Sequence, residues 1–222
     1  MSQLASPKPG PNARTRLLEA ALKLIRTNGL TATRVDDICA TAGLSKGSFF
    51  HHFESKEALA VAAAAHWSSI TSSLFASAPY HAPADPLDRV LAYIEFRKQL
   101  VQGDVPQFTC LVGTMVQEAY HSNPAIRDAC EASIGGHAQT LVADIAAAKR
   151  KYAARASWSP ESLALHTQAV IQGAFILAKA HNNARPAIES IEHLKRYFEL
   201  LFGRSPSPAT RSTRHAIPKR ST

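Results

Sequence analysis

The stretch TRVDDICATAGLSKGSFFHHFESK, residues 33–56, decides how this chain is read. Val35, Ile38, Cys39 and Ala42 fall at i, i+3, i+4 and i+7, the apolar face of a short helix. Thr33 stands where an N-cap belongs, and Asp36 three positions on completes a capping-box pattern. Asp36 and Asp37 also suit the positive end of a helix dipole. Gly43 breaks that helix, Ser45 caps a second over Lys46–His51, and Ser55 caps a third that begins at Lys56. Two short helices joined by a tight turn have the length and turn of a helix-turn-helix. The second opens on small and basic residues and closes on aromatics, so one end can meet a polyanion while the other is held in a core.

Outward from this unit the pattern stays helical. Leu17, Leu18, Ala21, Leu24 and Ile25 set a helix from Ala13 to Asn28, stopped by Gly29. Leu59, Ala62, Ala63, His66, Trp67, Ile70 and Leu74 carry a long one over Lys56–Ala76. Further helices are expected over about 86–102, 109–121, 124 to about 150, 160–183 and 187–202, several opened by Asp-Pro, Asn-Pro or Ser-Pro. No strand and no repeat is evident. The expectation is an all-α chain of about nine helices: a lead-in over 1–12, a helix-turn-helix domain over 13–58, a larger ligand-binding and dimerisation domain over 59–203, and a basic, disordered tail over 204–222.

Composition narrows the function. Of the residues, 45% are hydrophobic and 19% charged, and no run of 18 apolar residues marks a membrane span. Residues 1–16 lack a signal-peptide core. Three cysteines, Cys39, Cys110 and Cys130, have neither zinc nor redox spacing, which fits a reduced cytoplasm. The net charge of +8 is +4 over residues 1–56, −1 over 57–202 and +5 over 203–222. The basic N-terminal part suits a polyanion partner or a solubilising surface. The basic tail is either solvated or adds non-specific DNA attraction. There is no phosphate loop, His-Glu-x-x-His pattern, paired-cysteine motif or nucleophile elbow, so no enzyme, metal or cofactor is expected.

Thr31-x-Thr33-x-Val35-x-Asp37-Ile38, Ala42 through Phe53, and Ser55-Lys56-Glu57-x-Leu59 together resemble the TetR family of transcriptional regulators. The resemblance implies a ligand-released repressor that binds a palindromic DNA operator as a homodimer. Its two reading helices would lie about 34–36 Å apart. It also implies that Phe49 and His51 face DNA and His52 partly does. Ser48, Phe49 and His51 would then read base edges, and Thr33, Ser45, Lys46, His52 and Lys56 would hold phosphates. The family commonly has tyrosine where Phe49 stands, so a phosphate bond made there would be missing. Phe50 and Phe53 are expected in the core. Gly47 inside a helix costs about 1 kcal/mol relative to alanine, which either close approach to DNA or tight helix packing would explain.

The resemblance thins over the remaining ~145 residues, where it implies a small-molecule effector pocket and a four-helix dimer interface. Residues 170–180 are apolar nearly all round, with small residues that allow close helix contact. Candidate pocket residues are Trp67, Ile70, Phe96, Cys110, Met115, Glu118, His137, Gln172 and Phe175; at helical spacing such residues also serve as plain core. Glu118 and His137 are the polar pair that would need partners there. Cys110 to Tyr120 resembles a family subset with a Gly-Cys-Leu-Val/Ile-Gly-like helix start, Thr109 replacing the glycine. Some relatives sense electrophiles through that cysteine; a small buried residue is the plain alternative. A DNA-bound structural or cell-division adaptor on the same fold is the other class of function; a filled body with an exposed apolar patch would favour it.

Overall fold

The computed structural model describes residues 12–205, and among these it is all-helical. The elements are α1 (Ala13–Asn28), α2 (Val35–Ala42), α3 (Lys46–His52), α4 (Lys56–Ala76), a 3-10 turn (Pro79–His81), α5 (Pro86–Gln99), α6 (Val105–Phe108), α7 (Leu111–Ala119), α8 (Pro124–Tyr152), α9 (Pro160–His181) and α10 (Arg185–Leu201). The caps explain most of the starts. Side-chain oxygens of Asn12, Ser45, Ser55, Asp85, Asn123 and Ser159 accept from backbone N–H groups in the first turn of α1, α3, α4, α5, α8 and α9.

Three local expectations change. The helix expected to reach residue 102 ends at Gln99, and the one expected from Thr109 begins at Leu111. Between them lies α6, a single turn with Gln107 Oε1 accepting from Asp104 N at 2.6 Å, which makes ten helices where about nine were expected. Thr33 does not cap α2. The cap is Arg34, without a side-chain bond, while Thr33 is buried and its hydroxyl donates to Gly29 O at 2.6 Å. A hydroxyl cut off from water takes the nearest acceptor, here the end of α1.

Two apolar clusters hold the molecule. One joins α1–α3 and the first half of α4 to Leu111, Val112, Met115 and Ala119 of α7 and Ile126 and Cys130 of α8. The other joins α5, α9 and α10 to Phe75 and to Ala138, Leu141, Ile145 and Ala148 of α8. The boundary expected after residue 58 thus falls between Phe53 and Leu59, which belong to one core shared by the first three helices and the body. Helix α4 is long and apolar enough by composition to cross a membrane, with a mean hydropathy of 1.2, but it packs against α1 and α8 and runs from one cluster to the other. Residues 1–11 and 206–222 lie outside the described residues, and with them nearly all of the expected lead-in and tail. Arg204 is described and pairs with Asp88.

Candidate DNA-reading surface and body cavity

The turn between α2 and α3 is fixed from three sides. Gly43 takes a left-handed conformation, φ 62°, which an L side chain rarely adopts. Arg16 of α1 donates to Ala42 O at 2.5 Å and Gly43 O at 3.3 Å, closing the C-terminus of α2. Ser45 Oγ accepts from Ser48 N at 3.1 Å, opening α3. Lys46 reaches back to Asp36 at 3.1 Å in a solvent-exposed pair.

The facing of α3 corrects one expected contact. Phe49 is fully buried, whereas Phe50 is 53% exposed. Phe49 and Phe53, four residues apart, share the inward face, with ring centroids 5.8 Å apart; Phe50 lies about a hundred degrees round the helix and meets Phe49 edge-on at 5.2 Å. The outward face therefore carries Ser45, Lys46, Gly47, Phe50 and His51, with Ser48 and His52 half-buried. A Cβ on Gly47 would meet nothing closer than Ser45 Oγ at 3.7 Å, so packing within the chain does not require a glycine there.

Lys56 and Glu118 meet on one loop. The Lys56 ammonium donates to the carbonyls of Leu30 (3.2 Å), Thr31 (3.4 Å) and Thr33 (3.2 Å). Glu118, on α7, accepts from the N–H groups of Leu30 (2.9 Å) and Thr31 (2.7 Å). The connection from α1 to α2 is held by a cation on its carbonyls and an anion on its amides. Burial works against the Glu118 charge, but the bonds from Thr31 and Leu30 and nearby Lys179 outweigh it, and the carboxyl stays below its usual range. Gly29 is part of the arrangement. It has φ 88°, and a Cβ there would meet Glu118 Oε1 at 2.6 Å.

Between α4, α5, the α6–α7 segment, α8 and α9 lies a cavity of about 270 Å³. Six of the nine candidate residues line it: Trp67, Ile70, Cys110, His137, Gln172 and Phe175. The other three do not. Met115 is fully buried in the N-terminal cluster, Glu118 turns to the α1–α2 loop, and Phe96 packs outside the wall, edge-on to Phe75 at 5.7 Å. Sequence reasoning missed Arg26, Arg97 and Phe75, which also line it. The available signal for Arg97 was a charge three residues after Ile94 on the inward face of α5 that also carries Leu87, Val90 and Leu91.

The polar part of the wall is a short chain. Gln168 Nε2 donates to Tyr93 Oη at 3.2 Å, and Tyr93 Oη lies 2.9 Å from His137 Nε2, with Arg97 Nη1 at 3.5 Å from the same nitrogen. Which of Tyr93 Oη and His137 Nε2 donates to the other is set by the tautomer of the ring. Burial and the neighbouring Arg97 charge push the imidazolium pKa down to about 3, so the ring is neutral. Cys110 is the N-cap of α7 and half-buried, while burial raises the thiols of Cys39 and Cys130, the latter to about 12.

This architecture, a helix-turn-helix fused to a larger helical body with a partly open cavity, is that of a bacterial DNA-binding regulator. The profile of "Bacterial regulatory proteins, tetR family" matches residues 17–63, and that of "Tetracyclin repressor-like, C-terminal domain" matches 86–194. The chain belongs to the TetR family. It is 50% identical over 46 residues to the HTH-type transcriptional repressor KstR2 of Rhodococcus jostii, a match that covers 21% of this chain and 22% of that one. It is 25% identical over 173 residues to the HTH-type transcriptional repressor DhaR of Mycobacterium sp., covering 78% and 85%. Among solved structures, reduced NemR of E. coli aligns over 83% of this chain and 96% of its own, at 25% identity and TM-score 0.68. A TetR regulatory protein from Rhodobacter sphaeroides aligns over 86% and 98% with TM-score 0.72; at 22% identity it speaks for the fold alone.

Proposed function

We propose that this chain is a cytoplasmic, effector-released repressor that binds a palindromic operator as a homodimer. The observation that carries the reading is Arg26. It belongs to α1, the helix that braces the reading unit, yet it lines the cavity and donates to Thr109 O at 2.9 Å and to Gln107 O beside it. A molecule in the cavity touches a residue of the DNA-reading half directly, so occupancy and reader geometry can be linked. Lys46, Gly47, Ser48, Phe50 and His51 would meet DNA, with Phe50 in the place expected of Phe49 and His52 at the margin. Thr33 and Lys56 are taken up by internal carbonyls, so they shape the reader and do not lead its phosphate contacts.

Dimerisation is supported by an exposed apolar face. Leu165, Ile176 and Leu177 of α9 and Tyr197 and Leu200 of α10 lie exposed, and a Cβ on Gly173 would meet nothing within 4 Å. A two-fold partner on this face would set the reading helices about one DNA turn apart. The cavity weighs against the adaptor reading, which expects a filled body, while the exposed apolar face on α9 and α10 is a feature both readings share. Selection of bound DNA from a random pool by the purified protein tests the proposal: a palindrome is expected, and enrichment of none would refute it. The position of Cys110 on the cavity wall favours one second reading, release of DNA by an electrophile at that thiol. Treatment with a thiol-alkylating agent should then release wild-type protein from the operator and leave Cys110→Ser bound.

A further inference from the structure

The charge around the cavity is one-sided. Arg26 and Arg97 reach its wall, and no Asp or Glu lines it. Every acid of the chain lies between Glu19 and Glu199, within the described residues. Glu95, two residues before Arg97 on α5, is engaged with Lys98 (2.9 Å) and Lys195 (3.1 Å), and Asp144 of α8 with Arg89 (2.6 Å). Both guanidiniums lie over aromatic rings, Arg26 4.9 Å from the Trp67 ring centroid and Arg97 5.3 Å from that of Phe75. Arg26 has carbonyl acceptors, whereas Arg97 has only the marginal contact to His137 at 3.5 Å among the described residues. Arg97 is thus held in place by ring stacking with most of its donors unmatched. A half-buried cation in that state gains most from a planar anion that takes its forked N–H groups in pairs. Much of the remaining wall is apolar, with Ile70, Phe108, Ile134 and Phe175, and its other polar side chains, among them Thr71, Ser133, His137, Gln168 and Gln172, are uncharged.

We propose that the cavity takes a compact amphipathic carboxylate, its head on Arg97 with Arg26 close by and its apolar body among the aromatic rings. A volume of about 270 Å³ sits just below the usual range of small-molecule sites, about 300–1,000 Å³, so the ligand is small. This inference rests on reading the cavity as the effector site. It adds a route: an anion that draws on Arg26 competes with the carbonyls of Gln107 and Thr109 for the same guanidinium, and so alters how α1 is tied to the α6–α7 segment.

The test is titration of the full-length protein, without DNA, with octanoate, octan-1-ol and octylammonium, read by calorimetry. Octanoate should bind at least about tenfold more tightly than octanol, the worth of a charge-assisted head contact, and octylammonium should not bind. Arg97→Met should bring octanoate to the level of octanol and leave octanol unchanged. Arg97→Lys keeps the charge without the fork, so it should lower the preference part-way; it also serves if the methionine variant does not fold. Equal binding of acid and alcohol, binding of the amine, an unaltered preference in both variants, or binding of none at millimolar concentration would each overturn the proposal. Because no DNA is present, failure here is separate from failure of the operator selection. Octanoate that binds as expected but never releases an operator would refute the proposed route through Arg26 and leave the cavity chemistry standing.

Discussion

Lowering the pH should destabilise this protein through one histidine. His137 lies with its ring centroid 4.4 Å from that of Phe75, and its Nε2 is 2.9 Å from Tyr93 Oη. Burial first, and Arg97 second, hold its pKa near 3, against about 6.5 in an unfolded chain. As pH falls below 6.5, the unfolded state takes up a proton that the folded state refuses. Stability therefore falls with falling pH, by up to about 1.4 kcal/mol per unit, until the folded ring protonates near pH 3; above pH 7 the term vanishes. Between pH 7 and pH 5 the loss from this group is about 2 kcal/mol. His137→Gln keeps a hydrogen-bonding group for Tyr93 and cannot titrate. Urea unfolding of both proteins at pH 7 and pH 5, at one protein concentration, isolates the term, because the other titrating groups are common to both. The wild type should lose about 2 kcal/mol more than the variant over that interval. Equal losses would show that the ring is solvated or paired, and the account of the cavity wall would fail with it.

Three further outcomes follow from named contacts. Phe49→Ala should cost about 3–5 kcal/mol in chemical denaturation, whereas Phe50→Ala should change stability by less than about 0.5 kcal/mol and weaken operator binding about tenfold; the reverse pattern would return Phe49 to the outer face. Glu118→Gln keeps one acceptor and turns an amide N–H₂ toward a backbone N–H. Since the side chain is partly in water the expected loss is only about 1 kcal/mol, read as about fivefold faster hydrogen exchange at the Leu30 and Thr31 amides, and unaltered exchange would remove Glu118 from the loop. Gly113→Ala puts a Cβ against Gln172 Oε1, so that side chain must shift on the cavity wall; octanoate affinity should change while the melting temperature moves little, and unaltered affinity would mean that Gln172 yields away from the cavity.

Most of the fold was legible because helix starts are written locally. Ser45, Ser55, Asp85, Asn123 and Ser159 each announce a cap within a few residues of sequence, and each caps as expected. Thr33 has the same local signature and fails, because the choice between capping α2 and bonding to Gly29 O depends on how α1 ends, which is a tertiary fact. Helix α6 was missed for a related reason. One turn of four residues has no periodicity to read, and its start is set by Gly103 at φ 76° and the Gln107 bond to Asp104 N.

The facing of α3 was the harder problem. Phe49, Phe50 and Phe53 offer two aromatic pairs that could point inward, three or four residues apart, and seven residues are too few for periodicity to separate them. The shared core with α1 and α4 decides in favour of Phe49 and Phe53. The same limit explains Glu118 and Lys56. Each looked like a group facing outward from its own element, one to a ligand and one to phosphate. Each instead finds the backbone of residues 30–33, Glu118 from 88 positions beyond Leu30 and Lys56 from 26. Such bonds leave no trace in local sequence except at Gly29, whose missing Cβ makes room for the Glu118 carboxylate. That glycine reads as an ordinary helix stop, yet its larger consequence is that α7 of the body and α4 at the start of the signal path grip one loop of the reader. Any shift of α7 relative to α4 must then strain residues 29–33 or break one of the two grips, and the loop leads directly into α2.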